Sequence, residues 1–200
     1  MKNIIKITAA IAVTTSLTAC GGASSKKGTD LNEVLDRTVI ALEFAEAKLE
    51  KPADEEASNQ QVEVFTSIMH QVMNRAPKLQ SQPVGVVLRE DAAFIGFNDK
   101  NGDNVADAGE KELFSIELDG ERNRIIATNL ESGQGSYRVS GTGLFAGYMI
   151  GRLMGRQRRA GVKPSSFANR NVKASKPRSA RRASTRARSS TRSGSSRGGK

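Results

Sequence analysis

Apolar positions recur every three or four residues over two stretches in the first half of the chain. The first stretch follows Asp30, a residue type that suits a helix N-cap, and continues to about Lys51 before Pro52 ends it. The second runs from about Asp54 to Pro77 and carries its own apolar stripe. This spacing predicts two amphipathic helices that form a hairpin.

From residue 83 the period of the apolar positions changes to two, and β-branched residues become common. The alternation predicts strands over residues 84–88, 92–97, 112–118 and 122–128, and more weakly a fifth around 137–140. Asp119-Gly120 is typical of a two-residue hairpin turn, which would place Leu118 and Ile125 near one another across the ladder. Two helices followed by an antiparallel meander predict an α+β body over residues 30–140, with the helices covering the apolar face of the sheet.

A stripe of glycines follows this body, within a helix predicted over residues 141–159. Each glycine in a helix costs about 1 kcal/mol relative to alanine, so a close approach of another surface is expected to compensate. Three alternatives stay open: docking on the body's own sheet, self-association, or a position in the membrane interface with the arginines of residues 152–159 towards the headgroups. The glycines predicted to pack are Gly143, Gly147, Gly151 and Gly155.

The N-terminus has the pattern of a secretory signal over residues 1–19. A basic start is followed by an apolar run from Ile7 to Leu17 and by the small residues Thr18 and Ala19. The run is too short to span a bilayer, which needs about 20 apolar residues. Cys20 comes next and is the only cysteine of the chain, so a disulfide within the chain is excluded.

Leu17-Thr18-Ala19-Cys20 resembles the lipobox of bacterial lipoproteins. The resemblance implies cleavage before Cys20 and lipid attached to its sulfur and its new amino group. The next residue is Gly21, and resemblance to sorted lipoproteins of diderm bacteria then favours the outer membrane. Residues 20–29 are rich in Gly and Ser, which predicts a flexible linker. The alternative is an ordinary signal peptide with an incidental cysteine.

Residues 146–155 carry a second resemblance. The segment Ala-Gly-Tyr-Met-Ile-Gly-Arg-Leu-Met-Gly is similar to part of the uncharacterised YgiB-like enterobacterial lipoproteins, which also run into a Ser/Arg-bearing, low-complexity C-terminus. The resemblance covers about ten residues and the composition of the tail. It implies an envelope lipoprotein and supplies no activity.

The overall net charge of +10 combines two regions of opposite charge. Residues 156–200 hold 15 Lys or Arg and no acidic residue, whereas residues 20–155 hold 14 basic and 21 acidic residues. An acidic body with a basic arm is typical of a chain that uses the arm for interaction. Low hydrophobicity and high charge predict disorder over residues 160–200. The arginines predicted to bind an anionic partner are Arg178, Arg181, Arg182, Arg186 and Arg188.

Clustered arginines suit phosphate, because their paired N–H donors match its oxygens. No aromatic residue follows Phe167 to stack bases, so nucleic acid is a weaker prediction than anionic lipid headgroups or lipopolysaccharide. Two further readings of the tail stay open: it binds the acidic body of a neighbouring copy, or it is only a solvated, solubilising segment.

Residues 99–110, between the second and third predicted strands, have the composition of a calcium-binding loop, and we call them the calcium-like loop. Oxygen-bearing side chains fall at positions 1, 3, 5, 9 and 12 of a twelve-residue stretch, and a main-chain carbonyl is available at position 7, which is the ligand spacing of an EF-hand loop. The predicted ligands of a structural Ca²⁺ ion are Asp99, Asn101, Asp103, the carbonyl of Val105, Asp107 and Glu110. Position 6 is Asn104 where glycine is usual, and Asn is the next residue to tolerate a left-handed backbone.

The residues flanking this loop are predicted strands. The loop therefore resembles the Asp/Asn-rich calcium loops found between strands in bacterial surface proteins, and not a calmodulin-type sensor. The alternative is a polar hairpin loop without metal, because Asp, Asn and Gly are also the residues of ordinary turns.

Residues for catalysis are few. His70 is the only histidine and is predicted on the surface of the second helix, with no free cysteine to complete a zinc cluster. The sequence predicts a lipid-anchored envelope protein with a binding or structural role, and not an enzyme. The alternatives are a surface nucleic-acid-binding lipoprotein and an accessory subunit of an envelope enzyme that uses the acidic loop as a metal site.

Overall fold

A computed structural model describes residues 28–50, 52–139, 147–168, 170 and 172–177. The predicted signal, Cys20, most of the linker, Gly143 and the arginines from Arg178 onward lie outside these residues. Among the described residues, helices precede a mixed six-stranded sheet. The α+β class and the order of helices before strands are therefore confirmed.

Two long helices form the N-terminal hairpin as predicted. Helix α1 spans Leu31–Lys48 and α2 spans Glu55–Asn74. The side chain of Asp30 accepts a hydrogen bond from the N–H of Asn32 (3.0 Å), and that of Asp54 from the N–H of Ala57 (2.8 Å). Each helix therefore begins where an aspartate satisfies an otherwise unpaired donor. The buried apolar residues of the pair include Val34, Leu35, Leu42, Val62, Phe65, Met69 and Met73.

The sheet is built in chain order. Its strands are β1 (Val84–Leu88), β2 (Phe94–Asn98), β3 (Glu112–Asp119), β4 (Arg124–Asn129), β5 (Gly135–Val139) and β6 (Val172–Ala174). The first five form an antiparallel meander, and β6 adds to β5 in the parallel sense. Strands β1 and β6 are therefore the two edges of the sheet.

The hairpin between β3 and β4 differs from its prediction. Leu118 does lie opposite Ile125, but Asp119 continues the ladder and pairs with Arg124, so the connection is four residues and not two. The carboxylate of Asp119 is fully buried and accepts a hydrogen bond from the Arg124 side chain (2.7 Å). This buried pair extends the ladder by one residue, and a left-handed Asn123 (φ 46°) completes the turn.

The two faces of the sheet carry different side chains. Ile116, Leu118 and Ile125 belong to the core under the helices. Glu117 and Asp119 alternate with them and so lie on the opposite face, as does Arg124 across from Asp119. One face is therefore an apolar core and the other is rich in buried charge.

Helix α3 spans Tyr148–Arg159, and the chain then folds onto the charged face. We call residues 160–177 the C-terminal strap; it contains a 3-10 helix, Pro164–Phe167, and strand β6. Arg124 donates to the carbonyl of Phe167 (3.0 Å), and Arg170 is paired with Glu117.

The strap was predicted as part of the disordered tail. Its described residues are folded in the structure because one buried ring, Phe167, the ion pair of Arg170 with Glu117 and hydrogen bonds from Arg124 and Arg138 act in place of an apolar run.

Candidate functional site

The two ends of the described body meet on one side of the molecule. The hydroxyl of Ser175, in the strap, donates to the side-chain oxygen of Asn32 in the first turn of α1 (2.7 Å). The N–H of Ser175 donates to the carbonyl of Tyr137 in β5 (2.8 Å). Gly28, the first described residue, lies only four residues before Asn32, and Pro177 lies two residues after Ser175. The predicted linker and the predicted basic tail therefore leave the body close together.

Arg138 holds this region together from the end of β5. Its guanidinium is buried, forms an ion pair with Asp36 of α1, and donates to the hydroxyl of Ser175 (3.0 Å) and the carbonyl of Lys176 (3.4 Å). We call Asn32, Asp36, Arg138 and Ser175 the exit cluster. It ties the first helix, the sheet and the end of the strap into one unit.

Sequence reasoning missed the exit cluster. Arg138 and Asp36 are 102 positions apart, and Ser175 and Asn32 are 143 apart. No local pattern marks any of these residues, because a helix periodicity or a strand alternation describes neighbours in the chain only. The one available signal was the excess of arginine between residues 138 and 177, which the net charge of the tail obscured.

The calcium-like loop is wound around its first residue. Asp99 is fully buried, and its two carboxylate oxygens accept hydrogen bonds from the N–H groups of Gly102 (2.7 Å) and Asn104 (3.0 Å). Asn104 has the left-handed backbone that position 6 requires (φ 58°), and Gly102 is left-handed as well (φ 81°). The loop joins β2 to β3, as the predicted strand flanks indicated.

Three of the remaining predicted ligands, Asn101, Asp103 and Asp107, meet across the loop. The side-chain nitrogen of Asn101 lies 2.9 Å from a carboxylate oxygen of Asp103 and 2.9 Å from one of Asp107. The carboxylate of Glu110 accepts from the N–H groups of Lys100 (2.7 Å) and Asp107 (3.2 Å). An amide group therefore bridges the carboxylates. In the part of the chain that is described, no group of three or more His, Cys, Asp or Glu residues is placed to hold a metal ion.

A cleft of about 340 Å³ lies beside this loop. Its walls include His70 and Asn74 of α2, Lys78 and Leu79 of the connection to β1, and Asp99. His70, predicted as a surface helix residue, is half-buried and forms part of this wall. The cleft is lined by an imidazole, amides and a lysine, and it lies where α2 ends.

The glycines that the structure describes have different surroundings. Gly147 is the N-cap of α3, and a Cβ there would lie 2.4 Å from the carboxylate carbon of Glu46, which accepts from the N–H groups of Tyr148 (3.0 Å) and Met149 (2.7 Å). By contrast, a Cβ at Gly151 or Gly155 would meet no described atom within 4 Å.

Helix α3 packs on the body through a different face from the one that carries Gly151 and Gly155. The residues it buries are Met149, Ile150, Leu153 and Gln157. Docking on the body, one of the three alternatives for the stripe, therefore does not use these two glycines. Self-association and a position in the membrane interface stay predictions.

The arginines of α3 divide into two pairs. Arg152 and Arg156 both donate to the side-chain oxygen of Asn59 in α2 (2.7 and 2.9 Å), so they bind the body. Arg158 and Arg159 are exposed. Among the helices that the structure describes, none is long and apolar enough to cross a membrane.

No known protein family, no curated protein and no solved structure matches this chain. Of the predicted site residues, the structure brings together Asn101, Asp103 and Asp107 of the calcium-like loop, and it gives Gly147 a close contact that Gly151 and Gly155 lack. Cys20, Gly143 and the tail arginines lie outside the described residues. The function of the chain is therefore inferred from its own residues and contacts.

Proposed function

We propose that this chain is a lipid-anchored protein of the bacterial cell envelope that holds its body against an anionic surface by two attachments. The first is lipid on Cys20, which the lipobox-like residues 17–20 support. The second is the basic tail after Pro177, which engages phosphate groups of anionic lipid or lipopolysaccharide. The observation that carries the proposal is the contact between Ser175 and Asn32, because it starts both attachments from one side of the body.

The lengths of the two segments suit a common surface. Gly28 lies eight positions after Cys20, and an extended chain of that length spans at most about 28 Å. The 23 residues after Pro177 span at most about 80 Å when extended. A tail that starts beside the tether therefore reaches the surface that holds the lipid, whichever way the body turns.

The charges along the chain favour the same arrangement. Residues 20–177, which include the strap, hold 21 basic and 21 acidic residues, so the body has no net charge to draw it to an anionic surface, whereas the tail after Pro177 is basic throughout. Each basic residue near an anionic membrane contributes about 1 kcal/mol, and this contribution falls with salt.

Ending the chain at Pro177 is expected to weaken binding to anionic vesicles strongly. Residues 178–200 hold eight Lys or Arg, and engagement of three of them predicts a loss of about 150-fold in the partition coefficient. The comparison uses the chain from residue 20 with Cys20→Ser, which removes the lipid, and measures partition into phosphatidylglycerol vesicles by sedimentation. The cut is placed after residue 177 because the strap before it is folded.

The matched control keeps the tail length and replaces its Lys and Arg by Gln, which is expected to bind as weakly as the truncated chain. Micelles of lipopolysaccharide replace the vesicles in a parallel series, to separate the two sources of phosphate. Equal partition of full-length and truncated chains would overturn the role of the tail. Tighter binding to single-stranded RNA or DNA than to both anionic surfaces would favour the nucleic-acid alternative instead. Absence of lipid on Cys20 by mass spectrometry would remove the first attachment.

A second candidate function is the binding of a structural Ca²⁺ ion by the loop of residues 99–110. Two observations support it: Asn104 has the left-handed backbone of position 6, and Asp103 and Asp107 converge on one atom of Asn101. Carboxylate and amide oxygens are the ligands that Ca²⁺ takes. Binding would require the Asn101 side chain to turn, so that its oxygen replaces the nitrogen that now donates to both carboxylates.

Calcium is expected to raise the free energy of unfolding. With a dissociation constant of about 10⁻⁴ to 10⁻³ M, typical of extracellular modules, roughly 10 mM Ca²⁺ stabilises the fold by about 1.4–2.7 kcal/mol. Urea denaturation with Ca²⁺ and with the same concentration of Mg²⁺ measures the difference. The variant Asp103→Asn/Asp107→Asn should lose the calcium effect.

The matched variant for this test is Glu43→Gln/Glu121→Gln, which removes two exposed carboxylates outside the loop and should keep the full effect. If Ca²⁺ stabilises the loop variant and the wild-type chain equally, or stabilises neither, the loop is a polar connection without metal.

A further inference from the structure

Two arginines of α3 converge on one neutral atom of α2. Arg152 and Arg156 each direct a terminal guanidinium nitrogen to the side-chain oxygen of Asn59, at 2.7 and 2.9 Å. Two positive charges that share an acceptor repel one another, and a neutral amide oxygen offsets this repulsion less than a carboxylate would. We call Arg152 and Arg156 the arginine pair; its arrangement suits an oxyanion.

The arginine pair is neutralised only in part by the rest of the body. Glu55 lies 3.8 Å from Arg152, but the side chain of Glu55 is 76% exposed, so water screens the interaction. Among the residues that the structure describes, Arg156 forms no ion pair, and the buried Nε of Arg152 has no hydrogen-bond partner. A buried donor of a charged group is costly to leave unpaired, so an anion that reaches the arginine pair gains free energy.

A groove of about 420 Å³ extends from the arginine pair between α2 and β1. Ser67 lies eight positions after Asn59 on α2, which at 1.5 Å per residue gives the groove a length of about 12 Å. Its α2 wall is one face of the helix, with residues spaced by three and four, and consists of Asn59, Val62, Glu63, Thr66 and Ser67. Its β1 wall consists of Val86, Val87 and Leu88.

The groove is charged at one end and apolar beyond it. Arg156 lies beside Asn59, at the end of the wall nearest the start of α2. The apolar part is formed by the buried Val62 and Val86 and the half-buried Leu88. The N–H of Val86 already donates to the side-chain oxygen of Asn104 (2.8 Å), so this donor of the edge strand needs no ligand. Mostly apolar walls with a few placed polar groups are typical of a small-molecule site.

We propose that the groove binds a single-chain anionic amphiphile. The oxyanion head, a carboxylate or a phosphate, lies at the arginine pair, because the paired N–H donors of a guanidinium match two oxygens. The aliphatic chain lies along Val62 and Leu88, where its burial removes apolar surface from water. An extended decyl chain matches the length of the groove. The site uses neither Cys20 nor the basic tail, so it stands or falls separately from the two attachments proposed above.

The test is a titration of the chain from residue 20 with Cys20→Ser, in the absence of detergent. Decanoate and decyl phosphate are added below the concentrations at which they form micelles. The methyl resonances of Val87 and Leu88 report on the groove by NMR, and those of Ile40, exposed on α1, report on nonspecific binding. Saturable shifts are expected at the groove methyls, with at least about ten-fold weaker binding of decanol, which has no charge. Tighter binding of decanoate assigns a fatty-acid source, and tighter binding of decyl phosphate a phospholipid-like source.

Asn59→Asp tests whether the arginine pair lacks a counter-charge. A carboxylate at this position supplies that charge from within the chain, so the variant should melt at a higher temperature and bind decanoate at least about ten-fold more weakly. Gln60→Glu is the matched control, because it adds the same charge to the same turn of α2 at an exposed position. It should bind decanoate as the wild type does and gain less in melting temperature.

Arg156→Gln should also weaken binding at least about ten-fold, whereas Arg158→Gln, at an exposed position of α3, should not. Thr66→Phe fills the groove from its α2 wall and should abolish the shifts at Val87 and Leu88. The proposal is overturned if neither amphiphile gives saturable shifts at these methyls, if decanol binds as tightly as decanoate, or if the groove variants keep the affinity of the wild type.

Discussion

Replacing Arg37 by Met is expected to lower the free energy of unfolding by about 3–5 kcal/mol, the range seen when one member of a buried charged network is removed. Arg37 lies on α1 and is 4% exposed. It points across the hairpin to the end of α2, where the last carbonyls of a helix have no partner within the helix. The substitution keeps the length of the side chain but removes its donors.

The guanidinium of Arg37 donates hydrogen bonds to four carbonyls at the C-terminal end of α2 and just beyond it. One terminal nitrogen of Arg37 donates to the carbonyls of Val72 (3.0 Å), Met73 (2.6 Å) and Arg75 (2.9 Å), and the other donates to Pro77. Each partly buried carbonyl left without a donor costs about 1–3 kcal/mol unless water reaches it. Arg37→Met should therefore lower the free energy of unfolding several-fold more than the removal of an ordinary surface ion pair does.

Urea denaturation measures the free energies of unfolding of Arg37→Met and of the control variant Arg158→Met. Arg158 is an exposed arginine of α3, so the same chemical change there should alter the free energy of unfolding by less than about 0.5 kcal/mol. Arg37→Lys should recover little, because a single ammonium group cannot spread its donors over four carbonyls. A loss below about 1 kcal/mol for Arg37→Met would show that water replaces the guanidinium at this helix end.

The substitution Asp119→Ala is expected to have an effect of similar size, about 3–5 kcal/mol, on the opposite face of the sheet. Asp119 has no exposed surface, and the side chain of Arg124 is 10% exposed. Removing the carboxylate leaves a buried guanidinium without its counter-charge. The same guanidinium donates to the carbonyl of Phe167 and lies 5.0 Å from the ring centre of Tyr137, so the strap should loosen as well.

A double-mutant cycle with Arg124→Met measures the interaction energy between Asp119 and Arg124 apart from their contacts with other residues. Because the second substitution removes the unpaired charge, the double variant should be less destabilised than the sum of the single variants, by about 0.5–3 kcal/mol. Hydrogen exchange in residues 164–168 should rise in Asp119→Ala and report the release of the strap directly. Additive single effects, with unchanged exchange in the strap, would show that Asp119 serves only the β3–β4 turn.

Local features of the chain were predictable from the sequence. The N-caps at Asp30 and Asp54, the two helix stripes and the strand alternation each depend on residues within a few positions of one another. The pairing of Leu118 with Ile125 also followed from the local pattern, although the length of the turn did not. The predicted two-residue turn was wrong because Asp119 is buried beside Arg124. This burial, which only the tertiary structure reveals, outweighed the turn preference of Asp-Gly.

The candidate site was predictable only in part. The twelve-residue spacing of the loop, including the left-handed backbone of Asn104, could be read from composition and position alone. The contact of Asn104 with Val86 could not, because it joins residues 18 positions apart across a sheet edge. The exit cluster could not be predicted at all, because each of its contacts joins parts of the chain that only the complete fold brings together.

By itself, the sequence determined the two capped helices, the meander and the separation of acidic from basic residues along the chain, and it predicted the signal-like start with Cys20. Each of these depends on composition or on short-range periodicity. The tertiary structure decided that the strap is folded, that the two ends of the described body meet at Asn32 and Ser175, and that Asn104 of the calcium-like loop bonds to the edge strand β1. Those outcomes depend on which distant polar groups become buried in pairs, and burial is a property of the assembled chain.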